Sequence, residues 1–179
     1  MSSTERYLNQ NYIKLISVVL FIFIMSLVSM FSYGVGADDD GYLYHWDNIL
    51  SLDKYILLGE MPYEIGLKWF YVFMFSFFKI FTNDISVFKF FNTFIALSVL
   101  AYAYFKITAK YYFILLLYTV IYLFVDVYID QYRSGLASAF GLLAIVLFSE
   151  GKTKLSLLWL LLGCIIHNSL IWLLIIYST

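Results

Sequence analysis

Cysteine, proline and charge are all scarce in this chain of 179 residues, and each scarcity excludes something. The one cysteine, Cys164, leaves no disulfide framework, no Cys-x-x-Cys pair and no zinc spacing, so it reads as a small packing residue inside an apolar run. The one proline, Pro62, joins Gly59 in marking a turn and leaves every long apolar segment unbroken. Charged residues make up 13% of the chain, against roughly 25% in soluble domains. The 11 basic residues are scattered singly, so no patch can follow a phosphate backbone and nucleic acid is set aside as a partner. There is no internal repeat and no low-complexity tract, and the chain reads as one membrane domain over 1–179. A small-residue cleavage site is weak after the first apolar segment, which is long for a signal sequence, so that segment reads as a retained helix.

What the chain does hold is hydrocarbon: 63% hydrophobic residues and a mean hydropathy of +0.86, the composition of an integral membrane protein. Crossing a hydrocarbon core of roughly 30 Å takes about 20 apolar residues in a helix. Uncharged runs at 15–37, 90–105, 111–125, 134–149 and 155–179 predict spans at 15–33, 88–105, 111–128, 134–149 and 155–177, the shorter ones extended by snorkelling lysines. Segment 67–83 is apolar except for one narrow face, where Glu64, Lys68, Ser76, Lys79 and Asn83 recur at helical spacing, so it either spans or lies in the interface. The fold class is therefore an all-α polytopic bundle of about five to six transmembrane helices. Lysine and arginine favour cytoplasmic loops. With the N-terminus 1–14 inside and 67–83 lying flat, Lys106, Lys110, Lys152 and Lys154 fall inside and the acidic loop, Asp130 and Arg133 outside. We expect that arrangement.

Seven of the 12 acidic residues crowd into the loop 34–66. Asp38, Asp39 and Asp40 open it. On a helix, Asp38, Tyr42 and Trp46 share a face, setting a carboxylate over two aromatic rings of the kind that stack on sugars. Such a carboxylate suits a general base toward a hydroxyl; three aspartates that merely solvate a loop are the plainer reading. Arg133, at the mouth of a span, carries a fork that suits a phosphate or diphosphate, or else an ion pair with Asp130 or Asp126. The small residues after it, Gly135, Ala137, Ala139 and Gly141 among them, let another helix approach closely. His167, with Asn168 and Ser169, is a polar cluster placed mid-span, either lining a cavity or serving as a hydrogen-bonded structural histidine. His45 near the aspartates defines no metal geometry, and neither a metal site nor a cofactor is expected.

The runs GADDDGYLYHW, GEMPYEIGLKWFYVFMFSFFKIF, QYRSGLASAFGLLAIVLFSEGKTK and IIHNSLI, in this order, resemble the EpsG family of exopolysaccharide membrane proteins, akin to Wzy-type O-antigen and capsule polymerases. The matching positions are Gly36, Asp38 and Tyr42, then Glu60 with Pro62 and Tyr63, then Arg133 with Leu136 and Ala137, then His167 with Ser169. Ser134 departs from a usual glutamine, and Met61 splits a usual Glu-Pro. The chain is also shorter than typical members, which implies the N-terminal half of such a protein or a shortened relative.

The resemblance implies a GT-C-like glycosyltransferase bundle in the bacterial cytoplasmic membrane, joining repeat units of a polyprenyl-diphosphate-linked oligosaccharide at the outer face. In it Asp38, Asp39 or Asp40 would activate the acceptor, Arg133 would hold the diphosphate and His167 would line the pocket. Tyr42, Trp46, Glu60, Tyr63 and Asp130 would contact sugar or lipid. Implied partners are the lipid-linked oligosaccharide, membrane lipid and other polysaccharide-assembly proteins. Two other classes fit the same residues: a non-catalytic or truncated subunit of such a complex, and a lipid-linked sugar flippase, which the proline-free spans disfavour.

Overall fold

A computed structural model describes residues 3–32, 35, 38–62 and 69–173, with side chains from Tyr12 onward. Tyr63, Glu64, Lys68 and Gly36 lie outside these residues. Every regular element described is a helix: α1 (Ser3–Met30), α2 (Asp39–Asn48), α3 (Leu52–Leu58), α4 (Trp69–Phe78), α5 (Ile85–Ile107), α6 (Tyr112–Leu123), a π-helical segment (Phe124–Asp130), α7 (Tyr132–Ser149), α8 (Thr153–Ile166) and a 3-10 turn (Asn168–Leu170). Among the described residues, four stretches are long and apolar enough to cross a membrane: Tyr12–Met30, Ile85–Ile107, Tyr112–Asp130 and Tyr132–Ser149.

The bundle is built on α5 and α7. Association in lipid rests on close packing and polar contacts rather than on burial from water. α5 presents Ala96, Leu97, Leu100 and Ala103 inward, and α7 presents Gly135, Ala137, Ala139, Gly141 and Ala144, all buried. α1 packs along α5, and α8 runs antiparallel to α7 with Ser156 Oγ donating to the Ala144 carbonyl at 2.6 Å. Asp84 starts α5 by accepting the Ser86 amide at 2.9 Å. At one end of the bundle Glu150 bridges Lys106 at 2.9 Å and Lys152 at 2.8 Å, which holds the Glu150 carboxyl below its ordinary range.

The opposite end carries everything between α1 and α5. Lys89 Nζ donates to the Ser32 carbonyl at 2.8 Å, so the exit of α1 and the entry of α5 lie at one level. Residues 33–84 therefore return to the side they left. α4 alone has ten residues, about 15 Å or half a hydrocarbon core. By itself α4 is thus short of a single crossing, and residues 67 and 68 of segment 67–83 lie outside the described residues. Gly59 turns the chain out of α3 with φ +68°, a conformation that glycine adopts without strain.

One close approach fixes the site end of α7. A Cβ on Gly135 would sit 2.5 Å from the Val127 carbonyl oxygen, a main-chain atom of the π segment. Gly135→Ala is expected to cost about 1–3 kcal/mol through forced displacement, read as a lower melting temperature in detergent. Gly41, inside α2 with nothing within 4 Å of a Cβ, is the control, and its alanine variant is expected to gain about 0.8–1 kcal/mol.

Two boundaries differ from the sequence reading. The last predicted span, 155–177, is interrupted as α-helix after Ile166, is helical again over 171–173, and from 174 onward lies outside the described residues. His167 takes an extended conformation, and its side chain accepts the Ser169 amide, which replaces a helical bond with a local one. Leu170 then lies over the notch left by Gly141 and Gly163. The second difference is the π segment, into which α6 loosens with no proline present.

Candidate functional site

Three chain segments far apart in sequence meet where α2 lies across the entries of α5 and α7. The acidic triplet divides by position. Asp39 is 0% exposed, pairs with Lys89 Nζ at 2.6 Å and accepts the Tyr132 hydroxyl. Lys89, itself 0% exposed, also lies 5.3 Å above the Tyr132 ring. Below this pair Asn92 accepts the Tyr71 hydroxyl at 2.8 Å and donates to the Tyr132 carbonyl at 3.3 Å, and Thr93 meets Ser29 at 2.9 Å. A buried carboxylate needs such partners, and these tie α2 to α1, α5 and α7. Enclosed by these partners, Asp39 ties α2 to the bundle. Asp38 and Asp40 are exposed, and the Asp38 amide donates to Asp130 Oδ1 at 2.7 Å.

Arg133 and Tyr42 form the second half. Arg133 Nε donates to the Tyr42 hydroxyl at 3.1 Å, and the guanidinium carbon lies 5.6 Å from that ring. Tyr42 in turn packs on Tyr132, with ring centres 4.7 Å apart. Among the described residues Arg133 has no salt bridge to Asp126, Asp130 or any other carboxylate, and its two terminal amino groups have no protein partner. Asp130 is engaged by the Asp38 amide instead. Burial raises the Tyr42 phenol above its ordinary pKa; Arg133 opposes this and the Asp38 charge adds to it. The phenol therefore stays neutral near pH 7, an uncharged strut between a carboxylate and a guanidinium.

The predicted two-ring platform is not exposed. Tyr42 is 4% and Trp46 2% exposed, because α2 lays this face down on the bundle. Trp46 packs edge-on to Phe75 at 5.2 Å and donates to the Asn83 carbonyl at 3.0 Å, contacts that fix α2 over α4. Lys79 completes that corner by donating to the Ile49 carbonyl at 2.6 Å. Glu60 is exposed after the Gly59 turn, and none of its contacts joins it to Arg133 among the described residues.

His167 lies at the end of α8. Ser156 faces Ala144 and Gly163 faces Ala137, and that antiparallel register carried one turn on sets His167 level with Arg133. Its Nδ1 lies 2.7 Å from Ser169 Oγ. Among the described residues no group of three or more His, Cys, Asp or Glu side chains could hold a metal ion. An open apolar groove of about 510 Å³ runs along the site end of α1, lined by Ile24, Val28, Phe31, Val35 and, from the π segment, Ile129, the residue before Asp130.

Lys89 and Tyr132 are the residues that sequence reasoning missed. The available signal was a lone lysine between Phe88 and Phe90 in an apolar helix, where an unpaired charge is costly. Comparison with curated proteins and with solved structures gives no match. The model of the EpsG family, an exopolysaccharide-related family of membrane proteins, matches residues 15–178. That match takes in three of the four apolar spans whole, the first from residue 15 on, and every side chain of the site, so the chain belongs to the EpsG family and is a multi-pass membrane protein of exopolysaccharide biosynthesis.

Proposed function

We propose that the chain is a membrane glycosyltransferase that joins repeat units carried on undecaprenyl diphosphate. The reading is carried by Arg133, a half-buried fork steadied at Nε by Tyr42, with no carboxylate partner among the described residues and with exposed Asp38 one helical turn before that tyrosine. Asp38, or its exposed neighbour Asp40, takes the proton of the acceptor hydroxyl. The freed oxygen attacks the anomeric carbon, and the bond from that carbon to the diphosphate oxygen breaks. Negative charge then grows on the diphosphate, where the terminal amino groups of Arg133 meet it. The apolar groove on α1 suits the polyprenyl tail. Lys106, Lys110, Lys152 and Lys154 lie toward the far end of the bundle, which supports a cytoplasmic placement of that end and an outer placement of the site.

Complementation of a polysaccharide-polymerase-null strain supplied with the native repeat unit tests this reading. Wild type is expected to restore polymer, and Asp38→Asn at equal membrane abundance to lower it about 10²-fold or more. Polymer from Asp38→Asn at the wild-type level would move the base role to Asp40. Absence of polymer from stably inserted wild type would remove the enzyme reading and favour a non-catalytic subunit. A second reading, transport of the lipid-linked sugar, draws on the π segment and the break at His167, since transporter sites use interrupted helices. Under that reading reconstituted protein moves the lipid-linked unit between leaflets without lengthening it.

A further inference from the structure

An aspartate that opens a helix ordinarily turns its carboxylate back onto the amides of the second or third helical residue. Asp38 stands at that position of α2 and does otherwise. Its backbone is already helical, at φ −87° and ψ −11°, where a capping residue is usually extended, and its side chain makes no capping bond among the described residues. The Tyr42 amide still reaches the Asp38 carbonyl at 3.1 Å, so the helix begins here with the Asp38 carboxylate exposed and uncommitted. The acceptor that meets this N-terminus comes instead from 92 residues further on: Asp130 Oδ1 takes the Asp38 amide at 2.7 Å, the length of a charge-assisted bond.

Asp130 gains nothing from its own segment. It is the last residue of the π segment, and a carboxylate at the C-terminal end of a helical segment opposes the partial charge there, whereas at the N-terminal end of another helix it is favourable. Its position is fixed from behind, since the Gln131 amide closes a five-residue turn on the Asp126 carbonyl at 3.2 Å and Gly135 lies against the Val127 carbonyl. The entry of α7, which carries Arg133, therefore also delivers this half-buried carboxylate to α2. We propose that Asp130 is a positioning residue: it holds the N-terminus of α2 in place of a capping side chain, leaves the Asp38 carboxylate free, and ties its backbone to the element that bears Arg133. Asp130 acts through Asp38 and not on the sugar. The positioning role rests on the reading of Asp38 as the base; the cap does not.

Asp130→Ala removes the acceptor and is expected to draw the Asp38 carboxylate onto the amides of Asp40 and Gly41, lowering polymer formation about 10²-fold. Asp39 still pairs with Lys89, so α2 stays docked. The loss is expected in kcat, with KM for the lipid-linked unit unchanged, because Arg133 and Tyr42 keep their bond. Asp130→Asn keeps an oxygen for the Asp38 amide without the charge and is expected to stay within about threefold of wild type. A loss in Asp130→Asn as large as in Asp130→Ala would put the Asp130 carboxylate on the substrate and overturn the positioning role. Amide hydrogen exchange in nanodiscs, resolved to Asp38, tests the cap without turnover. Exchange is expected to be slow in wild type and in Asp130→Asn and about tenfold faster in Asp130→Ala; equal rates in wild type and the alanine variant overturn the cap. Failure of wild type to make polymer strikes the glycosyltransferase reading and the positioning role with it, and leaves the exchange rates to decide the cap.

Discussion

Arg133→Ala is expected to lower polymer formation by about 10²–10³-fold while the protein still folds and inserts. The loss is large because the guanidinium meets charge that exists fully only as the diphosphate departs, in a half-buried setting where water screens it poorly. The structural cost is small by comparison. Arg133 gives the fold one hydrogen bond to Tyr42 and one stacking contact, together worth about 1–2 kcal/mol. Two further variants separate chemistry from support. Tyr42→Phe removes the same hydrogen bond from the other side, so equal losses in the two variants would reduce Arg133 to a prop for Tyr42. Arg133→Lys keeps the charge but not the fork and is expected to fall between wild type and alanine. Polymer yield and length at matched membrane abundance are the readouts, and an alanine variant with the wild-type product distribution would end the diphosphate role.

Most of the scaffold was legible because a bilayer imposes simple rules. Charge-free runs marked the spans over α1, α5, α6 and α7, and lone lysines sorted the loops into the two ends that the bundle displays. What remained illegible was set by contacts distant in sequence. Nothing local ranks Asp38, Asp39 and Asp40; Lys89, fifty residues on, selects Asp39 for burial and leaves the others outside. Helical spacing correctly put Tyr42 and Trp46 on one face, but spacing does not say that the face is laid down on Tyr132 and Phe75. Hydropathy read the last span as one unbroken run, since it cannot see a histidine accepting the amide two residues ahead and interrupting the helix after 166. Lack of proline was read as lack of broken helices, yet both interruptions arise without it, one from that local hydrogen bond and one where α6 loosens into π geometry below Gln131.

Lys89→Ala is expected to be the most destabilising single change, at about 3–5 kcal/mol, because it leaves the Asp39 carboxylate buried without its cation. The effect should extend beyond stability. Asp39 is what holds the first turn of α2 against α5 and α7, so its release frees Asp38 and Tyr42 from their register with Arg133. Polymer formation is therefore expected to be lost in a variant whose altered residue touches no substrate. The double variant Asp39→Asn with Lys89→Met tests that chain of causes. The amide still accepts the Tyr132 hydroxyl, the methionine fills the lysine's volume, and no unpaired charge remains buried, so most of the lost melting temperature should return. If α2 is held by shape and hydrogen bonding once the charges cancel, activity returns with it, and Asp39 has served only as an anchor. Should the double variant fold as wild type and make no polymer, the Asp39 carboxylate would belong to the chemistry after all.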